Sequence, residues 1–180
     1  SLFFIDKVDN YIQKDGFIRQ HFEETFEKLK QDHELFKEMD LQTVHYGYFS
    51  KMKTDKTIEI DKVAYNKILR DKEKLLSIDE PLQFIFSHSA LREGWDNPNV
   101  FNICTLNQTQ STMKKRQEIG RGLRLPVNQQ GERVLGDQNI LTVLANENYA
   151  DYAAQLQSEY IEEYGEGGEP PIKNRRNRKI

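Results

Sequence analysis

Cysteine is nearly absent from this sequence: Cys104 is the only one among 180 residues, so no internal disulfide can form. It stands in an apolar run, where we expect a buried and unreactive thiol, and a chain without disulfides fits the reducing cytosol. Long hydrophobic runs are absent as well, because no stretch approaches the ~20 apolar residues of a membrane span and no charged-then-apolar leader opens the chain. These absences predict a soluble, cytoplasmic domain.

Two sequence motifs of nucleotide-hydrolysing enzymes are also missing. The chain has no Gly-x-x-x-x-Gly-Lys-Ser/Thr phosphate loop, and it has no Asp-Glu pair in a strand context that would hold magnesium. Because such a loop supplies the backbone N–H groups that cradle the phosphates, productive binding of ATP by this chain alone is not expected.

An overall basic charge is missing too. The formal net charge is −3, and five of the 26 lysines and arginines lie in the last eleven residues, which contain no acidic residue. The rest of the chain is therefore acidic, so that a nucleic-acid surface would have to be a local patch. Residues 165–171 are rich in glycine and proline, which is typical of a linker. We predict one domain over residues 1–164 and a flexible linker with a basic tail over 165–180.

What the sequence does contain is a series of short apolar strands that alternate with amphipathic helices. With 37% hydrophobic residues over 180 positions, the chain can bury the core of one domain. The alternation implies right-handed crossovers and a mostly parallel sheet with helices on both faces, an α/β fold in three layers. The predicted strands cover residues 2–5, 43–50, 82–86, 100–106 and 141–145, and the predicted helices cover 22–39, 63–76, 111–123 and 149–164.

Two arginines stand three residues apart in the stretch 117–126. On a helix, Arg121 and Arg124 would lie one turn apart on the same face, so two guanidinium groups could converge on one anion, which we expect to be a phosphate. Gly120 and Gly122 each cost a helix about 1 kcal/mol relative to alanine, which indicates a place where another group approaches the backbone closely. The alternative is a plain helix C-terminus with two solvated arginines, stopped by the proline that ends the stretch.

A second informative segment, residues 84–100, runs from an apolar strand into a polar loop, and another apolar strand follows. With this loop and with the pattern Gln-x-x-Gly-Arg-x-x-Arg at residues 117–124, the chain resembles the second RecA-like domain of superfamily 2 helicases and translocases, in which these are motifs V and VI. The residues around both motifs are most similar to those of the restriction (Res) subunit of type III restriction-modification enzymes. The resemblance covers roughly residues 1–164, and we expect both motifs at the carboxyl edge of the sheet.

The resemblance implies roles for particular residues. Arg121 and Arg124 match the arginine fingers that reach a triphosphate bound by the first motor domain, and Gln117 matches the position that couples motif VI to that domain. Gly94 and Asp96 match positions at the nucleotide cleft, although Asp96 could instead cap an Asx-type turn. The implied contacts with the DNA backbone are made by Ser87, His88, Ser89, Leu91 and Arg92.

The resemblance also implies cofactors and partners. ATP and Mg²⁺ would be bound mainly by the first motor domain, and the paired acidic residues and Glu-x-Lys pattern of the family's nuclease domain are not found in this chain. The implied partners are the first RecA-like domain and the nuclease domain of the same polypeptide, the methyltransferase (Mod) subunit and double-stranded DNA, with no membrane. The chain would be the second motor half of an ATP-dependent DNA translocase within a type III site-specific deoxyribonuclease, and it would be inactive by itself.

Two alternatives remain open. Motifs V and VI are shared widely, so the chain could belong to another superfamily 2 DNA helicase, from a phage or a repair system. A RecA-like module that binds DNA or protein without catalysis would have the same fold, although the intact arginine pair favours the enzyme.

Overall fold

The computed structural model describes residues 1–49, 66, 68, 71, 73–88, 95, 97–108, 111–134 and 140–164, with the backbone alone at 145, 147–150, 153, 157, 160, 163 and 164. Five strands and five α-helices lie in these ranges. The strands are β1 (Leu2–Phe4), β2 (His45–Tyr48), β3 (Phe84–Ser87), β4 (Asn102–Thr105) and β5 (Thr142–Ala145), and the helices are α1 (Asp9–Ile12), α2 (Phe17–Leu29), α3 (Leu41–Val44), α4 (Thr112–Gly120) and α5 (Glu147–Tyr164).

The five strands form one sheet in the order β2-β3-β1-β4-β5, and all four pairings are parallel. In the central strand β1, Leu2 lies opposite Ile85 of β3 and Ile103 of β4. The chain leaves β1 toward β2, and it leaves β4 in the opposite direction, toward β5. The sheet is therefore doubly wound, and the predicted parallel α/β architecture is confirmed.

The two faces of the sheet bury different cores. Leu2 and Phe4 of β1 pack on one face in a cluster that includes Trp95, whereas Phe3 packs on the other face against an aromatic cluster that includes Tyr11 and Phe22. Because successive side chains of a strand point to opposite faces, a short strand buried on both sides is apolar throughout. Helices α1 and α2 cover the aromatic face, and α4 and α5 pack on the opposite face.

The second helix is shorter than its apolar spacing predicts. Helix α2 ends at Leu29, and a 3₁₀ turn follows at Lys30–Asp32, so the prediction of one helix over residues 22–39 is wrong beyond residue 29. Phe36 nevertheless packs against Phe26 and Phe84, with ring centroids 5.9 Å and 5.8 Å apart. The apolar spacing extends beyond the end of the helix because the chain after the 3₁₀ turn returns Phe36 to the same core. The aromatic side chains Phe22, Phe26 and Phe36 therefore serve core packing.

Other boundaries differ by a few residues. Strand β2 begins at His45 because the preceding residues form the short helix α3, whose N-cap Asp40 accepts a hydrogen bond from the backbone of Gln42 at 3.0 Å. Helix α5 begins at Glu147, two residues before the predicted start. Most of the predicted helix 63–76 lies outside the described residues, which show a 3₁₀ turn at Lys74–Leu76. The linker and tail at 165–180 also lie outside them, and the division into two segments stays a prediction.

Cys104 lies in β4 and is partly buried. Burial raises the pKa of its thiol to about 11, so the thiolate is scarce at neutral pH, in agreement with the unreactive role predicted. No helix in the described part of the chain is long and apolar enough to cross a membrane.

A buried histidine lies under the aromatic face of the sheet. The imidazole Nδ1 of His45 accepts a hydrogen bond from the Tyr11 hydroxyl at 2.6 Å, and its Nε2 lies 3.6 Å from Glu23. Burial raises the pKa of Tyr11, which therefore stays protonated and donates. Burial lowers the pKa of His45 to about 4 from its ordinary 6.5, although the Glu23 carboxylate acts in the opposite direction.

Acid is expected to destabilise the fold through His45. The unfolded chain takes up this proton near pH 6.5 and the folded chain only near pH 4, so the free energy of unfolding should fall as the pH drops below about 6.5. One proton changes stability by about 1.4 kcal/mol per pH unit, which amounts to roughly 2 kcal/mol between about pH 7 and pH 5. Urea unfolding across this range measures the loss.

The matched control is His45→Gln, which has no titratable group at this position. Its stability should depend less steeply on pH over the same range, even if it is lower at neutral pH. Parallel pH profiles for the two proteins would contradict the assignment of this loss to His45.

Candidate functional site

The arginine segment begins with helix α4. Ser111 caps the helix, because its hydroxyl oxygen accepts a hydrogen bond from the backbone N–H of Lys114 at 3.3 Å. The helix ends at Gly120, where the N–H of Gly122 donates to the carbonyl of Ile119 at 2.9 Å. The predicted helix over residues 111–123 is therefore too long by three residues, and the two arginines follow the helix instead of sharing one of its faces.

The two arginines nevertheless converge on one atom. Nη1 of Arg121 donates to the backbone carbonyl oxygen of Trp95 at 2.7 Å, and Nη1 of Arg124 lies 3.5 Å from the same oxygen. The guanidinium carbon of Arg121 also lies 5.7 Å from the centre of the Trp95 ring, within the range of a cation–π contact. Arg121 is half-buried and is not a solvated helix end, whereas the side chain of Arg124 is more exposed.

Trp95 is itself firmly anchored. It is 2% exposed and packs in the core cluster with Leu2 and Ile103, while its indole N–H donates to the carbonyl of Ile68 at 3.1 Å. A buried tryptophan whose N–H is satisfied has little freedom to move. The carbonyl that holds the arginines is therefore fixed relative to the sheet.

The chain after the arginines is held by two side-chain amides. The Asn99 amide accepts from the N–H of Val127 at 2.9 Å and donates to its carbonyl at 3.0 Å. The Gln129 amide accepts from the N–H of Ile78 at 3.1 Å and donates to the carbonyl of Leu76 at 2.7 Å. Each amide therefore satisfies one donor and one acceptor, and the chain that follows the arginines is held at Val127 and at Gln129.

One of the two glycines marks a close approach, as predicted. A Cβ on Gly122 would lie 2.3 Å from Cδ1 of Leu141, a distance that real side chains do not adopt. A Cβ on Gly120 would meet nothing within 4 Å. The group that approaches the backbone is thus a core leucine, and only Gly122 is required for it.

The two motif segments meet toward the end of the sheet where β4 and β5 begin, although the second segment starts at its carboxyl edge. His88 follows β3 at the carboxyl edge, as expected. Gly122 contacts Leu141, which precedes β5, and Val127 bonds to Asn99, which precedes β4. Because α4 leaves the carboxyl end of β4 and runs back along the sheet, the arginines lie toward the ends where β4 and β5 begin. The prediction that both segments emerge at the carboxyl edge is wrong for the arginines.

A buried carboxylate ties α4 to the carboxyl ends of β4 and β5. Glu118 is fully buried, its Oε1 accepts from the Asn107 amide at 3.0 Å, and Lys114 Nζ lies 3.9 Å away. The Asn146 amide donates to the carbonyl of Asn107 at 2.6 Å. Glu118 was not predicted as a site residue. It follows Lys114 by four positions, and this spacing indicates that both residues lie on the same face of the helix.

The remaining predicted site residues have different surroundings. Gln117 and His88 are exposed, whereas Ser87, the last residue of β3, is 2% exposed. The Asx turn proposed for this region is formed by Asn97, whose side chain accepts from the N–H of Asn99 at 2.8 Å. The other predicted residues, Ser89, Leu91, Arg92, Gly94 and Asp96, lie outside the described residues.

No metal centre is found in the part of the chain that the structure describes. Its residues include no group of three or more His, Cys, Asp or Glu side chains that could hold an ion. The sequence motifs identified the arginines but not Trp95, whose carbonyl binds both of them, nor Asn99, whose amide binds the backbone of Val127. The sequence feature that could have indicated both residues is their position in the second motif segment. Trp95 lies seven positions and Asn99 three positions before Asn102, the first residue of β4.

A doubly wound parallel sheet with two arginines fixed against the segment between β3 and β4 defines a RecA-like α/β domain. No family model matches the chain. It is 48% identical over 144 residues to the EcoPI Res subunit of Escherichia phage P1, and 46% identical over 144 residues to the EcoP15I Res subunit of Escherichia coli. It is 39% identical over 164 residues to the StyLTI Res subunit of Salmonella typhimurium.

These matches cover 72%, 72% and 74% of this chain and 15%, 15% and 16% of the three relatives, each of which is a type III restriction-modification enzyme subunit. The chain therefore belongs, over the matched segment, to the Res subunit family of type III restriction-modification enzymes. It spans about 15% of the length of these relatives.

Proposed function

We propose that this chain is the second motor half of an ATP-dependent DNA translocase within a type III restriction subunit. The observation that carries the proposal is the convergence of Arg121 and Arg124 on one oxygen, 2.7 Å and 3.5 Å from their Nη1 atoms. Membership of the Res subunit family supports the same class of enzyme. The alternative of a non-catalytic module offers no reason for two guanidinium groups held at one point.

The proposed chemistry is stabilisation of the negative charge that develops on a transferring phosphoryl group. A planar guanidinium donates several hydrogen bonds in a fixed geometry and stays charged. It therefore binds an anion more strongly than it binds a neutral carbonyl oxygen. ATP and Mg²⁺ would be held mainly by the first motor domain of the complete subunit. Arg121 and Arg124 would reach the phosphates from the second domain, and Gln117, which is exposed on α4, would contact the first domain.

The remaining roles follow the motif assignments. Gly94 and Asp96 would border the nucleotide, and the segment from His88 to Arg92 would contact the DNA backbone. Ser87 is 2% exposed, so its predicted contact with DNA is not retained. His88 is exposed at the carboxyl end of β3, where such a contact is sterically possible. The partners would be double-stranded DNA, the nuclease domain of the same polypeptide and the Mod methyltransferase subunit, in the cytoplasm.

The isolated 180-residue chain is expected to hydrolyse no ATP, with or without DNA, because it has no phosphate loop. Phosphate release with millimolar magnesium and ATP measures this. The control is Arg121→Ala purified in the same way, because a contaminating ATPase would give equal rates in both preparations. Turnover that is present in the wild-type chain and lost in the variant would contradict the split active site.

DNA binding by the chain is expected to be weak, indifferent to sequence and sensitive to salt, because it involves the phosphate backbone. Arg92→Ala should reduce the slope of log affinity against log salt concentration by about one. Arg116→Ala is the control, since this exposed arginine pairs with Glu159 on α5 at 3.3 Å. Tight binding to one sequence that persists in high salt would favour a different kind of DNA-binding module.

A further inference from the structure

We propose that Trp95 is a positioning residue that sets the orientation of Arg121 and Arg124, an inference that rests on the function proposed above. The motif assignment gives roles to the residues on both sides of Trp95 and none to the tryptophan itself. Its side chain is inside the core, so it acts through the arginines and not by touching a ligand.

Trp95 restrains Arg121 through two contacts, one from its carbonyl oxygen and one from its ring. The carbonyl oxygen fixes the position of Nη1 at 2.7 Å, and the ring lies 5.7 Å from the guanidinium carbon. A hydrogen bond alone would leave the planar group able to rotate about it, and the second contact with the ring restricts that rotation. A long side chain that is ordered before its ligand binds loses less entropy when the ligand arrives.

Trp95 can act as a reference point because its side chain is buried in the core of the sheet. Its indole N–H bonds to the carbonyl of Ile68 at 3.1 Å, and its side chain belongs to the same buried core cluster as Val100 and Ile103. The orientation of Arg121 is therefore tied to the sheet. Arg124, whose Nη1 lies 3.5 Å from the same carbonyl, is aligned by the same atom less closely.

A phosphate oxygen can replace the Trp95 carbonyl oxygen as the hydrogen-bond acceptor of the two arginines. A backbone carbonyl is a neutral acceptor, whereas a phosphate oxygen is charged and forms a stronger hydrogen bond with a guanidinium. The Trp95 carbonyl therefore holds the arginines in a shared orientation without competing strongly with an anionic ligand. The oxygen marks the point toward which both side chains are directed.

The contact can be tested by fluorescence in the isolated chain, because Trp95 is its only tryptophan. Arg121→Gln should change the emission intensity or wavelength of the folded chain, since it removes a cation from the indole ring. Arg116→Gln, on the outer side of α4, should leave the emission unchanged, and all three proteins should emit alike when unfolded in urea. Identical native spectra of wild type and Arg121→Gln would overturn the inference.

The positioning role is tested by replacing Trp95 in a complete Res subunit that carries this chain as its second motor domain. Leucine removes the aromatic face, and we expect kcat for ATP to fall about 10-fold to 100-fold with KM changed by less than about 3-fold, because misplaced catalytic groups affect the transition state most. Phenylalanine keeps an aromatic face and should restore kcat to within about 3-fold of the wild type.

A well-folded leucine variant with normal kcat would overturn the positioning role, as would a phenylalanine variant as slow as the leucine variant. If the leucine variant does not fold, the fluorescence comparison decides the question by itself. The function proposed above is tested separately, by the loss of ATP hydrolysis in an Arg121→Ala variant. Failure of the tryptophan tests with an inactive Arg121→Ala enzyme would remove only this inference.

Discussion

Replacing Arg121 by alanine is expected to slow the DNA-stimulated ATP hydrolysis of a complete Res subunit by roughly 10³-fold to 10⁵-fold, the range measured for arginine fingers in phosphoryl-transfer enzymes. The reason is that the guanidinium would meet the charge that develops on the transferring group. Arg124→Lys should also be slow, because lysine keeps the charge but loses the planar set of donors. The measurement is the steady-state rate at saturating ATP and DNA.

The effect of the same substitution on stability should be small beside this loss but larger than for an ordinary surface residue. Arg121 donates to a buried residue's carbonyl at 2.7 Å and lies over its ring, so its removal should cost about 1–2 kcal/mol of unfolding free energy. The sequence alone predicts an exposed side chain with a cost of ~0.5 kcal/mol. Thermal melts of the isolated chain measure the difference.

The matched control for Arg121 is Arg116→Ala. Arg116 is exposed and pairs with Glu159 at 3.3 Å, so its removal should change the stability by less than about 1 kcal/mol. Its ATPase rate should stay near that of the wild type. A folded Arg121→Ala enzyme that turns over as fast as Arg116→Ala would show that the arginine pair has no catalytic role.

Adding one methyl group to the arginine segment is expected to have opposite effects at two neighbouring glycines. Gly122→Ala should destabilise the fold by about 1–3 kcal/mol, because its Cβ would lie 2.3 Å from Leu141 Cδ1 and 3.1 Å from its Cγ, and the whole side chain would have to move. Gly120→Ala should stabilise it by about 0.5–1 kcal/mol, since Gly120 is helical and its Cβ would meet nothing within 4 Å. Urea unfolding of both variants measures the two changes.

The cause of the Gly122 effect can be isolated with a double-mutant cycle. In a Leu141→Ala background the added methyl group no longer meets the leucine side chain, so Gly122→Ala should cost less there than in the wild type. An equal cost in both backgrounds would mean that the backbone of Gly122, and not the contact with Leu141, is responsible.

The parallel sheet could be predicted from local sequence because each strand is a short apolar run followed by a polar turn. Leu2–Phe4 and Thr142–Ala145 agree with the predicted strands to within one residue at each end. A strand whose side chains are buried on both faces must be apolar along its whole length. Parallel strands require crossover connections, which are right-handed and here contain helices. The presence of both motifs could be predicted for the same reason, since the residue types and spacing within each motif are local features.

The helix ends depended on tertiary contacts that the local pattern does not record. In α2 the apolar spacing continues beyond Leu29, but Phe36 reaches Phe84 through a turn, so spacing alone overestimated the helix. In α4 the segment leaves the helix at Gly120, and Leu141 then packs against Gly122. In both cases a packing contact between residues that are at least 19 positions apart overrides the local helical pattern.

The sequence by itself determined the α/β class, the parallel sheet and the presence of two arginines three residues apart, the first of which follows a glycine. Only the tertiary structure decided that Arg121 is half-buried and that both arginines converge on the carbonyl of Trp95, 26 and 29 positions away. The physical reason is that strand and helix formation depends on patterns within a few residues. A shared hydrogen-bond acceptor depends on where two distant segments meet, and here the buried indole of Trp95 fixes that place.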